Sequence, residues 1–164
     1  MNIAFTQILT NPQLVGLALV TLLNLALGVY VFLKNRTETM NQIFLVLTVS
    51  IALWSVAIFL TIFYYSDVYI YDLSDKLAYV GGLLISLSFY LFAASYPYKS
   101  RLFSSKLIIT FILITLIFSY VAFFTNLFVI AAYVRDGLAI INHNLITYTF
   151  YSIVIIVFFI LSMF

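Results

Sequence analysis

Five apolar stretches without Asp, Glu, Lys or Arg follow one another along the chain: Met1 to Leu33, Met40 to Ser66, Leu77 to Tyr98, Leu107 to Val134 and Gly137 to Phe164. Every charged residue falls between them. A Lys, Arg or Asp at mid-bilayer costs about 2.5–3.5 kcal/mol, so this spacing predicts helices that cross a membrane with their ions held at its edges. A crossing needs roughly 20 apolar residues at about 1.5 Å each to match a slab of about 30 Å. A chain of 164 residues has room for about four to six such crossings, and five fits best. The expected architecture is an all-α membrane protein, a five-helix transmembrane bundle forming one domain over 1–164, with helices near 12–33, 42–65, 75–96, 106–127 and 145–164.

Local signals set the ends of these helices. Asn11 can cap the free amides of the first, and Pro12 at its first position gives up a donor that is unpaired there anyway. The second should end in the aromatic run Phe63-Tyr64-Tyr65, rings suited to the wet edge of a bilayer, with Asp67 marking exit into water. Asp72 or Ser74 is the expected cap of the third, which Pro97 should close. Between the fourth and fifth helices, two short apolar segments flank Arg135-Asp136-Gly137, and an Asp-Gly pair in that setting is a hairpin signal. Two readings stand for this segment. Either a small extracellular β-hairpin lies on the outer surface, or the fourth helix continues to Val134 and the rest is loop.

Composition agrees with the pattern and narrows the chemistry. Hydrophobic residues make up 66% and charged residues 7%, with a mean hydropathy of +1.22, against about 45–50% and about 25% in average soluble domains. A water-soluble fold is excluded. The net charge of +2 is too small to imply a nucleic-acid partner. With no cysteine, neither disulfides nor a thiolate metal site can form. Lys34, Arg36, Lys99, Arg101 and Lys106 fall in the first and third loops, whereas the other side holds Lys76 and Arg135 beside four aspartates. The positive-inside rule then predicts a plasma-membrane protein with its amino terminus outside and its carboxyl end cytoplasmic. The last residues are still membrane-grade and lack an anchoring cation, so the chain is expected to be a fragment, truncated from a longer bundle.

Polar groups within the apolar stretches are the pointers to function, because each must find a partner away from water. Thr21, Asn24 and Gly28 share a face of the first helix, read as a packing seam in preference to a polar groove. Thr48, Ala52 and Ser55; Gly82, Ser86 and Ala93; and Ser119, Ala122 and Asn126 form similar small-residue stripes that favour a compact bundle. Trp54, the only tryptophan, sits mid-helix and is expected to point inward, as core filler by default or as the wall of a pocket. His143, lone between two asparagines, reads as a solvated or capping residue before a metal ligand or pH switch. No acid is expected inside a span, no nucleophile is paired with a base, and no phosphate loop or metal spacing occurs, so no catalytic residue, metal or cofactor is assigned.

Asn41-Gln42-Ile43-Phe44 opens the second helix and Ser50-Ile51-Ala52-Leu53-Trp54-Ser55 follows. Leu77-Ala78-Tyr79-Val80-Gly81 and Phe89-Tyr90-Leu91-Phe92, leading to Tyr96-Pro97, mark the third. In these segments the chain resembles the amino-terminal seven-helix membrane region of bacterial sensor histidine kinases. The resemblance implies an outside amino terminus, an outer insertion between helices four and five, and a cytoplasmic output domain beyond helix seven. It supplies no ligand residues and no catalytic role. The reading is a sensory module that binds a small or lipophilic signal in the outer half of the bundle, with Trp54, Tyr79 and Asn24 lining the pocket. The lipid bilayer, a small ligand and a second copy in a homodimer are the expected partners. A small transporter subunit or a structural partner in a membrane complex is the alternative.

Overall fold

The structure, a computed structural model, describes residues 11–95, 105–125, 127–135 and 138–163. Five helices and one β-hairpin follow in the order α1 (Pro12–Lys34), α2 (Thr39–Phe63), α3 (Val68–Ser95), α4 (Ser105–Phe124), β1 (Val129–Arg135), β2 (Leu138–His143) and α5 (Leu145–Ser162). Each helix is long and apolar enough to cross a membrane. Leu22, Leu23, Leu27 and Tyr30 on α1, Leu116, Ile117 and Phe124 on α4, and Phe150, Ile153 and Ile156 on α5 are all exposed. So oily an exterior suits lipid and not water.

The expected cap forms at the first helix and moves at the third. The Asn11 side chain accepts a hydrogen bond from the Gln13 amide, with Pro12 at the first position of α1. Asn144 accepts from the Ile146 and Thr147 amides and starts α5. On α3 the cap is Asp67, whose Oδ1 accepts from the amides of Tyr69 at 3.0 Å and Ile70 at 3.2 Å. The helix therefore begins at Val68, and not at Asp72 or Ser74. Asp72 and Asp75 lie inside it, which corrects the expectation that no acid falls within a spanning helix. With 28 residues at about 1.5 Å each, α3 reaches about 42 Å, longer than a hydrocarbon core of about 30 Å. If Ser95 sits at one face of that core, Asp75 falls at the other face and Asp72 about one turn beyond it, among headgroups and water. The expected stop at Pro97 lies outside the described residues.

α3 is the central element, packing against α2, α4, α5 and both strands, while α1 packs on α2. Two of its faces are buried. Ser74, Gly81 and Ser88, at intervals of seven, meet α2: Thr61 donates to the Ser74 hydroxyl at 3.0 Å, and Ser50 and Ser88 lie 3.4 Å apart. Between these contacts, a Cβ on Gly81 would come within 2.9 Å of the Trp54 Cβ and 3.0 Å of its Cα. Gly81 is thus what lets the two backbones close up. The other face carries Tyr79, Leu83 and Tyr90. Tyr79 and Leu83 join Ala122, Phe128, Val129 and Tyr151 in one core cluster, and Tyr90 joins Phe111 and Phe158 in a second. Gly28 packs on Thr48, a close seam between α1 and α2 of the kind expected from the small-residue face.

Between α4 and α5 the hairpin forms, with Arg135 paired to Leu138; the alternative in which α4 continues to Val134 is excluded. Its root does not lie on a surface. Phe128 and Val129 are buried in the core, and the Phe128 carbonyl accepts from the Asn144 amide. The register runs Val129 to His143, Ala131 to Asn142 and Ala132 to Ile141, so Ile130 is an extra residue on β1. Such a bulge re-aims side chains. Val129 and Ala132, three apart on β1, can both face the core because their partners His143 and Ile141 are two apart on β2.

Candidate functional site

At the hairpin end of the bundle, Trp54 of α2, Asp75, Ala78 and Tyr79 of α3, His143 of β2, and Tyr148 and Tyr151 of α5 line a cavity of about 400 Å³. Two of the three residues expected to line a pocket, Trp54 and Tyr79, are brought together here. The third is not: Asn24 lies on α1 and its amide donates to the Val20 carbonyl of its own helix. That local bond satisfies the side chain, as Thr21 does by donating to Leu17. Trp54 is no core filler. It is 39% exposed, held at the rim because Gly81 occupies the space against its backbone.

Tyr79 organises the site. Its hydroxyl lies 2.9 Å from His143 Nδ1, and its backbone carbonyl accepts from the Tyr151 hydroxyl at 3.1 Å. The Tyr151 hydroxyl reaches that carbonyl by passing over Gly82, where a Cβ would collide with it. Gly81 and Gly82, adjacent in sequence, thus open two different sides of α3, one to α2 and the other to α5. Around the Tyr79 ring stand Phe128 at 4.9 Å, Tyr151 at 5.0 Å in an edge-to-face arrangement, His143 at 5.9 Å and Tyr148 at 6.2 Å between centroids. Such pairs add about 0.5–1.5 kcal/mol each beyond the area they bury.

Asp75 faces His143 across 3.7 Å, too long for a hydrogen bond. Its Oδ2 is buried and has no hydrogen-bond partner among the described residues. One turn earlier, Asp72 holds the Lys76 ammonium at 2.7 Å. Other buried hydroxyls are used up differently: Ser86 donates to Gly82 and Ser88 to Leu84, each four residues back on its own helix. The Asp75 Oδ2, without such a partner, lies at the cavity.

Sequence reasoning missed Asp75, His143, Tyr148 and Tyr151. Asp75 was hidden by the helix start, which placed it at a wet cap. His143 was hidden by the hairpin register, which sets it opposite Val129 and on the same face of β2 as the core-packed Ile141. The available signal for the tyrosines was the spacing of Tyr148 and Tyr151, three apart and hence on one helical face. Among the described residues no three His, Asp or Glu side chains come close enough together to hold a metal ion.

Five apolar spans, with α2, α4 and α5 packed on the central α3 and this polar recess at one end, define a multi-pass membrane protein. The chain belongs to the family described as the N-terminal 7TM region of histidine kinase, whose model matches residues 16–164. That region is the sensory, non-catalytic part of such kinases, which makes the chain a membrane sensory module. No curated protein and no solved structure matches it.

Proposed function

We propose that the cavity bounded by Trp54, Asp75, Tyr79, His143, Tyr148 and Tyr151 receives a small signal molecule, and that its occupancy shifts α3 to instruct an output domain on the cytoplasmic side. One observation carries this reading. Asp75, Tyr79, His143 and Tyr151 converge on a cavity of about 400 Å³, where the buried Asp75 Oδ2 has no hydrogen-bond partner among the described residues, and that volume is within the range of about 300–1,000 Å³ typical of ligand sites. α3 gives Asp75, Ala78 and Tyr79 to the cavity and runs unbroken to Ser95 at the opposite end, so it connects the site to the far side of the bundle. Signalling of this kind needs two arrangements with different ligand affinity. The positive-inside rule supports a cytoplasmic position for the end bearing Lys34, Arg36 and Lys106.

The test is phosphorylation output from the whole reading frame in cells, compared across growth conditions for the native protein and for Tyr148→Ala and His143→Gln. Both variants should reach the membrane at native levels yet lose the condition-dependent change in output. Native-like responses from both, or solute flux through the bundle in reconstituted vesicles, would refute the sensory reading.

A further inference from the structure

We infer that the cavity is built for a small organic ammonium ion, an inference that rests on the signal-receiving reading and names its ligand chemistry. The geometry combines two features that recognise such a cation. Four aromatic side chains, Trp54, Tyr79, Tyr148 and Tyr151, line one cavity, and aromatic faces attract cations within about 6 Å of the ring centre. The same cavity contains the Asp75 carboxylate, whose buried Oδ2 lacks a hydrogen-bond partner among the described residues.

Neighbouring cations do not meet that oxygen. His143 presents Nδ1 to it at 3.7 Å, but the same nitrogen is within 2.9 Å of the Tyr79 hydroxyl. When that hydroxyl donates, Nδ1 is the acceptor and has no proton left for Asp75. The Lys76 ammonium is engaged by Asp72 at 2.7 Å. A buried carboxylate oxygen left without a donor is costly. A ligand ammonium, wrapped by the rings and facing Asp75, would supply the missing positive charge. An anion would instead meet an unneutralised carboxylate, and a neutral apolar ligand would leave it unmet.

The ammonium could be a free amine or the headgroup of a lipid, because the recess opens at the end of the bundle where headgroups lie. Both present the same group to the rings and to Asp75.

Trp54 is the only tryptophan and lines the cavity, so its emission reports occupancy directly. The probes are choline and its uncharged isostere, in which a quaternary carbon replaces the nitrogen, added to the full chain in phosphatidylglycerol nanodiscs. Choline should change Trp54 emission saturably, at concentrations at least about tenfold below those the isostere needs. Asp75→Asn, which keeps shape and removes charge, should weaken choline by about tenfold or more and leave the isostere unchanged. Should Asp75→Asn fail to fold, Tyr148→Leu serves instead, at a half-exposed position; it should weaken choline several-fold more than the isostere. Replacing part of the phosphatidylglycerol by phosphatidylcholine then separates the sources. A falling choline response identifies the lipid headgroup as occupant, and an unchanged one identifies the soluble cation. Equal affinity for choline and isostere, or silence with both, overturns the ammonium inference. The sensory reading is decided separately, by the phosphorylation output of the Tyr148 and His143 variants.

Discussion

A methyl group at Gly81 would lie 3.0 Å from the Cα of Trp54, and backbone cannot swing aside as a side-chain tip can. Gly81→Ala should therefore push α2 and α3 apart and destabilise the bundle by about 1–3 kcal/mol, read as a lowered midpoint in detergent or thermal unfolding. Gly16 on α1 has nothing within 4 Å of the same position. Gly16→Ala should be neutral or stabilise by up to about 1 kcal/mol, and an equal loss from both substitutions would show that space at Gly81 is not the cause. Tyr151→Phe removes only the hydroxyl that bonds the Tyr79 carbonyl, at an expected cost of about 1 kcal/mol in the same assay. At this scale the sequence was partly legible. Trp54 and Tyr79 stand out by type and position, whereas Asn24 misled because a polar side chain on a helix can satisfy itself on the preceding turn.

Within the elements, helix existence was readable because ions are excluded from lipid, and the Asn11-Pro12 start because caps obey local rules, whereas the Asn144 cap of α5 was not singled out. The start of α3 was not, since several acids compete for one cap and only geometry shows that Asp67 wins. The hairpin signal at Asp136-Gly137 correctly marked two strands, but no local rule foretells a bulge. Its consequence is testable. Deleting Ile130 would remove the bulge and leave Val129 and Ala132 two apart, on one face by simple alternation. The folded yield of the deletion in detergent should therefore stay near native, and a collapse in yield would show that the bulge itself is needed to hold the hairpin root in the core. Phe128→Ala, at a side chain only 1% exposed, should cost about 3–5 kcal/mol in unfolding.

For the molecule as a whole, the absence of cysteine makes topology directly measurable. Glu38→Cys in the α1–α2 connection and Ser66→Cys in the α2–α3 turn are exposed and sit at opposite ends of α2. A membrane-impermeant thiol reagent outside intact cells should label Ser66→Cys and spare Glu38→Cys; the reverse pattern would invert the orientation. The arrangement around α3 carries a mechanical corollary. Its tightest sideways contacts, to Trp54 through Gly81 and to Tyr151 through Gly82, occur at consecutive residues, so the helix is pinched at one level and behaves as a lever with its fulcrum there. Ser95 lies 13 residues beyond Gly82, about 20 Å along the axis. A tilt of about 5° at the fulcrum would swing that distant tip by nearly 2 Å, the scale of helix displacements that transmit signals. On the proposed sensory reading, a molecule lodged beside the pivot would need to shift it by only a few tenths of an ångström to displace the far arm.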